Sequence, residues 1–457
     1  MVQLASAEFL EYHEYPPETT ASRFSQLHAS ENNVYVLWQE STHGKYFFDL
    51  LFRKSSDYGK TFDDAINLTN GTGSLPSARI SSYKNNVYVA WEDNDSSGNY
   101  DIYFRKSSDY GKSFDKTAII GTNNGTAVFS LLRLIATENN VYVMMRYYNI
   151  QERSSHVVFV QSKDNGNTFD MPQTLFELTK DNYYVDFSYN DEDIYIVASG
   201  KATDTSPDRV IFRKISDNGT KLSDIITLNK KSDFFGPQIS SSGNNIYVIW
   251  REKENMKQNL MFTKSNDGGN NFDQIIPLNK YPNWDVVWSV YSQIFSDESN
   301  VYVDWVEEGT VNGKQAFQTI LRSSSDYGNS FDEPFVFDES DLNYPIMLGQ
   351  NNTLYLAWST WKDSARDEIE LYFTKSLEGK TNFEVSVLTE NTREQIMHPS
   401  MAISGDNIYI AGDTGWEKHC LYFISSNDGG NFFGDLIDLN DYTLHNRCAK
   451  QVQAAVF

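Results

Sequence analysis

Positive charge, cysteine and long apolar runs are what this chain has least of, and each shortage removes a class of function. The sequence carries 38 Lys and Arg against 62 Asp and Glu, a net charge of -24. Nucleic-acid binding rests on Lys and Arg meeting phosphates, and anionic membrane surfaces attract basic segments, so neither partner is expected. No stretch of eighteen apolar residues occurs, so no transmembrane helix, and no membrane insertion, is expected. Cysteine is limited to Cys420 and Cys448, which leaves two readings. Either both are buried thiols, or one disulfide pins the C-terminal tail to the last repeat, constraining the unfolded chain by roughly 3 kcal/mol. The seven His residues form no metal-ligand spacing, and neither a Gly-x-Ser-x-Gly elbow nor a phosphate-cradling glycine loop is present. No metal and no cofactor is expected. Residues 1–18 lack the charged and apolar regions of a secretory leader. The chain is therefore expected to be either cytosolic or extracellular with its leader removed. Six Asn-x-Ser/Thr sequons, at Asn67, Asn70, Asn94, Asn124, Asn218 and Asn351, favour an extracellular or cell-surface glycoprotein.

Repetition is what the sequence has most of. A Tyr inside a short apolar run recurs at Tyr35, Tyr88, Tyr142, Tyr195, Tyr247, Tyr302, Tyr355 and Tyr409, separated by 53, 54, 53, 52, 55, 53 and 54 residues. A fixed period near fifty residues marks a repeat architecture. One unit reads as four short strands. In the second repeat these are a first strand at 78–82, the Tyr strand at 87–91, a third strand at 100–106 and a fourth near 117–120. The Tyr strand is apolar on both alternating sets: Val87 and Val89 point one way, Tyr88 and Ala90 the other. Such a strand needs cover on both sides. Radially packed four-stranded antiparallel sheets supply that cover, so the expected fold is all-β, a β-propeller of eight blades over residues 22–440. Residues 1–21 and 441–457 lie outside the repeats, and either segment is a candidate closing strand.

About twenty residues after each Tyr comes an acidic turn, Ser-x-Asp-x-Gly-x-x-Phe. It is intact at Ser55–Phe62, Ser107–Phe114, Ser162–Phe169, Ser265–Phe272, Ser324–Phe331 and Ser426–Phe433. The carboxylate accepts backbone N–H groups, the Gly supplies positive φ, and the Phe returns the chain to apolar space. Two copies are degenerate, Ile215–Leu222 and Ser376–Phe383, where looser turns are expected. The pattern resembles the Asp box (BNR repeat) of sialidase-like propellers, and the likeness extends over nearly the whole chain. In that family the box marks the fold on the face away from the ligand. The resemblance therefore implies a structural role for Asp57, Asp109, Asp164, Asp267, Asp326 and Asp428.

The same resemblance implies a test for catalysis. Sialidases surround the substrate carboxylate with three Arg residues, use a Tyr nucleophile activated by Glu, and supply an Asp acid/base. The family's Phe/Tyr-Arg-Ile/Leu-Pro motif is missing here. Its nearest counterparts are Arg79 in Ala78-Arg79-Ile80-Ser81 and Arg133 in Leu132-Arg133-Leu134-Ile135, with Asp93 or Asp95 in the loop after the Tyr88 strand as the acid. If the chain were sialidase-like, Arg79, Asp93 and Arg133 would carry the chemistry.

A ligand is expected at the channel mouth opposite the boxes, where the loops after the Tyr strands lead. Trp38, Trp91, Trp250, Trp305 and Trp358 each follow the repeat Tyr by three residues and read as blade packing. The departures from that rhythm are Arg79, Arg133, Arg146, Trp361 and Trp416, and the ligand-binding candidates are Arg146, Arg251, Trp361 and Trp416. The leading expectation is a glycan- or protein-binding module without a complete catalytic set. The alternatives are a sialidase-like exo-glycosidase and a structural surface-layer or assembly subunit.

Overall fold

The computed structural model describes residues 22–440 apart from 42–47, 70–76, 95–99, 122–126, 139, 179–183, 191–192, 202–208, 230–233, 255–256, 280–285, 312–313, 338–342, 362–368, 377–382, 391–394 and 415–419. Among the described residues every regular element is a β-strand. The strands pair antiparallel, in chain order, as eight four-stranded blades arranged in a ring. Blade 1 shows the plan: Ser22–Ser30, Asn33–Ser41, Phe48–Ser55 and Ile66–Asn67. Blades 3 and 4 are fused into one sheet where Glu177 and Leu178 pair with Lys201 and Gly200. The first strands of neighbouring blades adjoin around most of the ring and encircle its axis.

The eight-blade expectation is met, and burial explains why. All eight repeat Tyr residues lie in second strands and are buried. Tyr35 and Leu37 pack with Ala78, Ile80 and Val87 of blade 2, while Val34, Val36 and Trp38 pack with Tyr409, Leu421 and Phe423 of blade 8. One strand thus serves two inter-blade cores, which is what its unbroken apolar run requires. The same two clusters show how the ring closes. Among the described residues blades 1 and 8 each have four strands of their own and meet through side-chain packing. The terminal segments 1–21 and 441–457 lie outside the described residues.

The acidic turns are built alike. In the first, Ser55 Oγ donates to Asp57 Oδ1 at 2.7 Å and accepts the Gly59 N–H at 2.8 Å. Thr61 donates its N–H to Asp57 Oδ1 and its hydroxyl to Oδ2. Tyr58 and Gly59 are both left-handed, at φ 64° and 79°. The Gly has a second reason for its identity. A Cβ on Gly59 would lie 2.7 Å from the Phe423 ring, and one on Gly111 would lie 2.8 Å from Phe52. Each box therefore presses its glycine onto an aromatic ring of the preceding blade. The box Phe follows it there: Phe62, Phe114, Phe169, Phe272, Phe331 and Phe433 meet Phe423, Phe52, Phe104, Phe212, Phe262 and Phe373 edge to face. The box is a clasp between blades as well as a turn.

The degenerate fourth copy is tighter than a loose turn. Ile215 and Ser216 pair with Leu222 and Lys221, closing a short hairpin. Gln161 of blade 3 packs against it, donating to the Asn218 carbonyl. Most of the degenerate seventh copy falls at 377–382, outside the described residues.

Candidate functional site

Chain direction distinguishes the two mouths of the ring. In blades 1, 2, 5, 6 and 8 the box docks beside the turn between first and second strands, as where Tyr58 N–H donates to the Asn32 carbonyl. The far ends of the second strands therefore point to the opposite mouth. One position there stands out, four residues after the repeat Tyr: Gln39, Glu92, Arg146, Ser199, Arg251, Val306, Ser359 and Asp413. The positions before it are uniform and apolar in nearly every blade, whereas this one is polar in seven and differs from blade to blade. Strand alternation turns it toward the next blade: Glu92 accepts the Leu131 N–H of blade 3 at 3.0 Å. Arg146 and Arg251, both ligand-binding candidates from the sequence, belong to this ring, two blades apart. Arg146 donates to Ser155 Oγ and lies 5.8 Å from the Tyr148 ring centroid. Arg251 lies against Gly236, where a Cβ would meet its guanidinium at 3.4 Å.

The residues named for a sialidase-like reading are placed differently. Arg79 donates through Nε to the Leu132 carbonyl of blade 3 at 3.1 Å and through Nη1 to the Ala78 carbonyl at 2.8 Å. Arg133 lies 3.9 Å from Asp186 of blade 4. Asp186 in turn accepts the Ile239 N–H of blade 5. These groups link the first strands of consecutive blades. Asp93 is buried, and Arg79 pairs across with Ala90 while Ala78 pairs with Trp91. By alternation Asp93 shares the Trp91 face, toward blade 1, and Arg79 faces blade 3. Glu92, not Asp93, shares the face of Arg79. The backbone of Trp361 ends the second strand of blade 7, and its side chain lies outside the described residues, as do Trp416 and Cys448. Cys420 is buried in blade 8.

One pair on this side was not singled out from the sequence. His398 Nδ1 meets Asp413 Oδ2 at 3.2 Å, His398 being 44% exposed. The pair sits where the first strand of blade 8 bulges between Met397 and Ser400. His398 holds a left-handed φ of 46° and is followed by Pro399, which has no N–H to pair. The hydrogen bond to Asp413 raises the imidazole pKa, and burial works against that rise. Such a pair can hold a proton at a channel mouth and offer its second ring nitrogen outward. The available signal was positional: Asp413 falls in the ring of varied residues, and His-Pro opens the strand beside it.

The six intact boxes stand on the other side of the ring. Their carboxylates are held low. For Asp164 the Thr168 N–H and hydroxyl bring the pKa to about 2, and for Asp267 the Asn271 side chain and N–H do the same. At Asp109 and Asp326 burial pushes the other way and is outweighed by hydrogen bonds, again giving about 2. Asp57 and Asp428 are lowered too. All six carboxylates are engaged in their own turns. Among the described residues no group of three or more His, Cys, Asp or Glu is placed to hold a metal ion. No helix there is long and apolar enough to cross a membrane.

No protein-family model matches the chain, and no curated protein matches it. Among solved structures, the phage phi92 endosialidase is 10% identical, covering 85% of this chain and 72% of that one, at a TM-score of 0.39. The β-propeller domain of the Trilobed protease from Pyrococcus furiosus is 11% identical over 80% of this chain and 96% of its own, at 0.43. Polysaccharide lyase Uly1 is 10% identical over 95% of each chain, at 0.44. At TM-scores below 0.5 none of them bears on the activity of this chain.

Proposed function

We propose that this propeller is an extracellular or cell-surface recognition module that binds a glycan or protein ligand at the mouth opposite the boxes. The observation that carries the reading is the ring four residues after each Tyr. A scaffold repeated eight times holds one equivalent position at which Gln39, Glu92, Arg146, Ser199, Arg251, Ser359 and Asp413 differ in charge and hydrogen-bonding character. Side chains that differ at equivalent places let a pseudo-symmetric frame recognise an asymmetric ligand. Trp361 and Trp416, which flank this mouth in sequence, are proposed as stacking surfaces for sugar rings. The sequons support an extracellular setting. The test is a glycan-array and pull-down screen with Arg146→Ala and Arg251→Ala, folding being checked by thermal denaturation. Each variant is expected to lose about tenfold or more in affinity, the scale of one charged hydrogen bond. Unchanged binding in both would remove the mouth from consideration.

A second reading, an exo-glycosidase, draws on the His398–Asp413 pair rather than on Arg79, Asp93 and Arg133. Release of the aryl group from an aryl sialoside, abolished in His398→Ala, would establish it over binding alone. No release by the wild type would leave the binding reading in place.

A further inference from the structure

The boxes carry a second pattern, and the junction of blades 1 and 2 departs from it. In three blades the Lys just before the box Ser reaches into the next blade's box and donates to the Asn at its sixth position. Lys106 meets Asn167 Oδ1 at 3.1 Å, Lys264 meets Asn329 Oδ1 at 2.6 Å, and Lys375 meets Asn431 Oδ1 at 2.6 Å. Lys264 and Lys375 also donate to backbone carbonyls of that next box, those of Tyr327 and Gly429. Lys54 of blade 1 is the equivalent residue, but the sixth position of the next box is Lys112. An ammonium cannot accept the bond, and the two cations line one cavity of about 520 Å³. Lys54 is 3% exposed. Its ammonium lies 3.9 Å from Oδ2 of the exposed Asp63, beyond hydrogen-bond length. A buried ammonium in an open cavity, without the acceptor its counterparts have, is a group prepared for an anionic partner.

We infer that the junction of blades 1 and 2 is a second binding site, on the box side, for a small ligand that carries one carboxylate beside hydrogen-bond donors. The lining sets that chemistry. Lys54 and Lys112 receive the carboxylate, while Asp63 and Asp64 at the rim accept from hydroxyl or ammonium groups. Two cations balanced by two carboxylates disfavour a multiply charged oxyanion. Phe52 and Phe62 give the cavity an apolar wall, and its volume falls in the usual range for small-molecule sites, roughly 300–1,000 Å³. Acidic sugars and free amino acids share this chemistry. The site is independent of the mouth proposed above.

The experiment is a thermal-shift titration of the full chain with sodium glucuronate and with L-alanine, blanked with sodium chloride at matched ionic strength. The wild type is expected to show a saturable rise in Tm with at least one of them. Response to glucuronate alone assigns acidic sugars, and response to alanine alone assigns amino acids. Lys112→Asn should abolish the shift. This variant restores the Lys–Asn tie of three other junctions, so it is expected to fold and to melt higher than wild type without ligand. No saturable shift with either probe, or a shift that persists unchanged in folded Lys112→Asn, overturns the proposal.

Discussion

Asp304 sits two residues after the repeat Tyr, where the other blades place Leu37, Ala90, Met144, Val197, Ile249, Ala357 and Ala411, all buried. A carboxyl group thus occupies a core position that is apolar seven times out of eight. Its Oδ1 has no hydrogen-bond partner, and burial pushes its pKa up to about 8 against backbone hydrogen bonds that lower it. At neutral pH the group is mostly protonated. Glu307, three residues on, is fully buried and pushed up to about 7 by the same cause. Trp305 and Asn279 lie near enough to temper that rise, yet Glu307 forms no hydrogen bond of normal geometry. In blades 1 and 5 the matching Trp38 and Trp250 do donate to Glu40 and Glu252, at 2.9 and 3.0 Å. A carboxyl group whose folded pKa exceeds its unfolded value of about 4 contributes stability below pH 4 that is lost as pH rises through the folded value. Asp304→Val is therefore expected to raise stability at pH 8 by about 1–3 kcal/mol. It should also flatten the decline between pH 4 and 8. Urea denaturation of both proteins across that range measures this, and an unchanged slope would refute it. The irregularity is visible when repeats are aligned, but the lack of a partner is not, because the partner would come from another blade.

Among elements, the boxes carry the sharpest expectations. Asp109, Asp164, Asp267 and Asp326 titrate near 2, below the unfolded value of about 4, and Asp57 and Asp428 are lowered as well. The sign is opposite to that of Asp304: their contribution is present above about pH 4 and disappears as pH falls toward 2. The turns are largely solvated, so each contributes modestly, and six acting together should give a steep acid transition. Asp109→Asn, read by denaturation at stepped pH, should reduce proton uptake between pH 4 and 2 and leave the region above pH 5 parallel to wild type. The box motif was legible because each turn is local, with partners within about four residues of the Asp. Its clasp onto the preceding blade was not, since Gly59 and Phe423 are far apart in sequence. The hairpin that replaces the fourth box was misjudged for the same reason: Gln161 supports it from the blade before.

For the whole molecule, the question is how the seam between blades 1 and 8 stays shut. Phe423 of blade 8 stacks with Tyr409, receives Phe62 edge-on and lies beneath Gly59 of blade 1. The Ser404 hydroxyl donates to the Glu31 carbonyl across the same seam. Phe423→Ala is expected to cost about 3–5 kcal/mol, the usual range for a buried Phe. It should cost more than Phe432→Ala, since Phe432 is exposed on a box turn. Chemical denaturation of the two variants side by side checks this, and equal losses would show that the seam does not bear on stability.

Eight blades, their strand order and the buried Tyr positions were determined by the sequence itself, because period, alternation and turn chemistry are local properties repeated eight times. The tertiary structure alone decided which faces meet. It set Arg79 and Asp93 on opposite sides of one sheet, tied Arg79 and Arg133 to the next blades, and gathered seven varied polar residues into one ring. It also joined His398 to Asp413 and set Lys54 and Lys112 in the lining of one cavity. Those outcomes depend on side-chain direction between neighbouring blades, and a single strand reads only its own alternation, not the surface that will cover it.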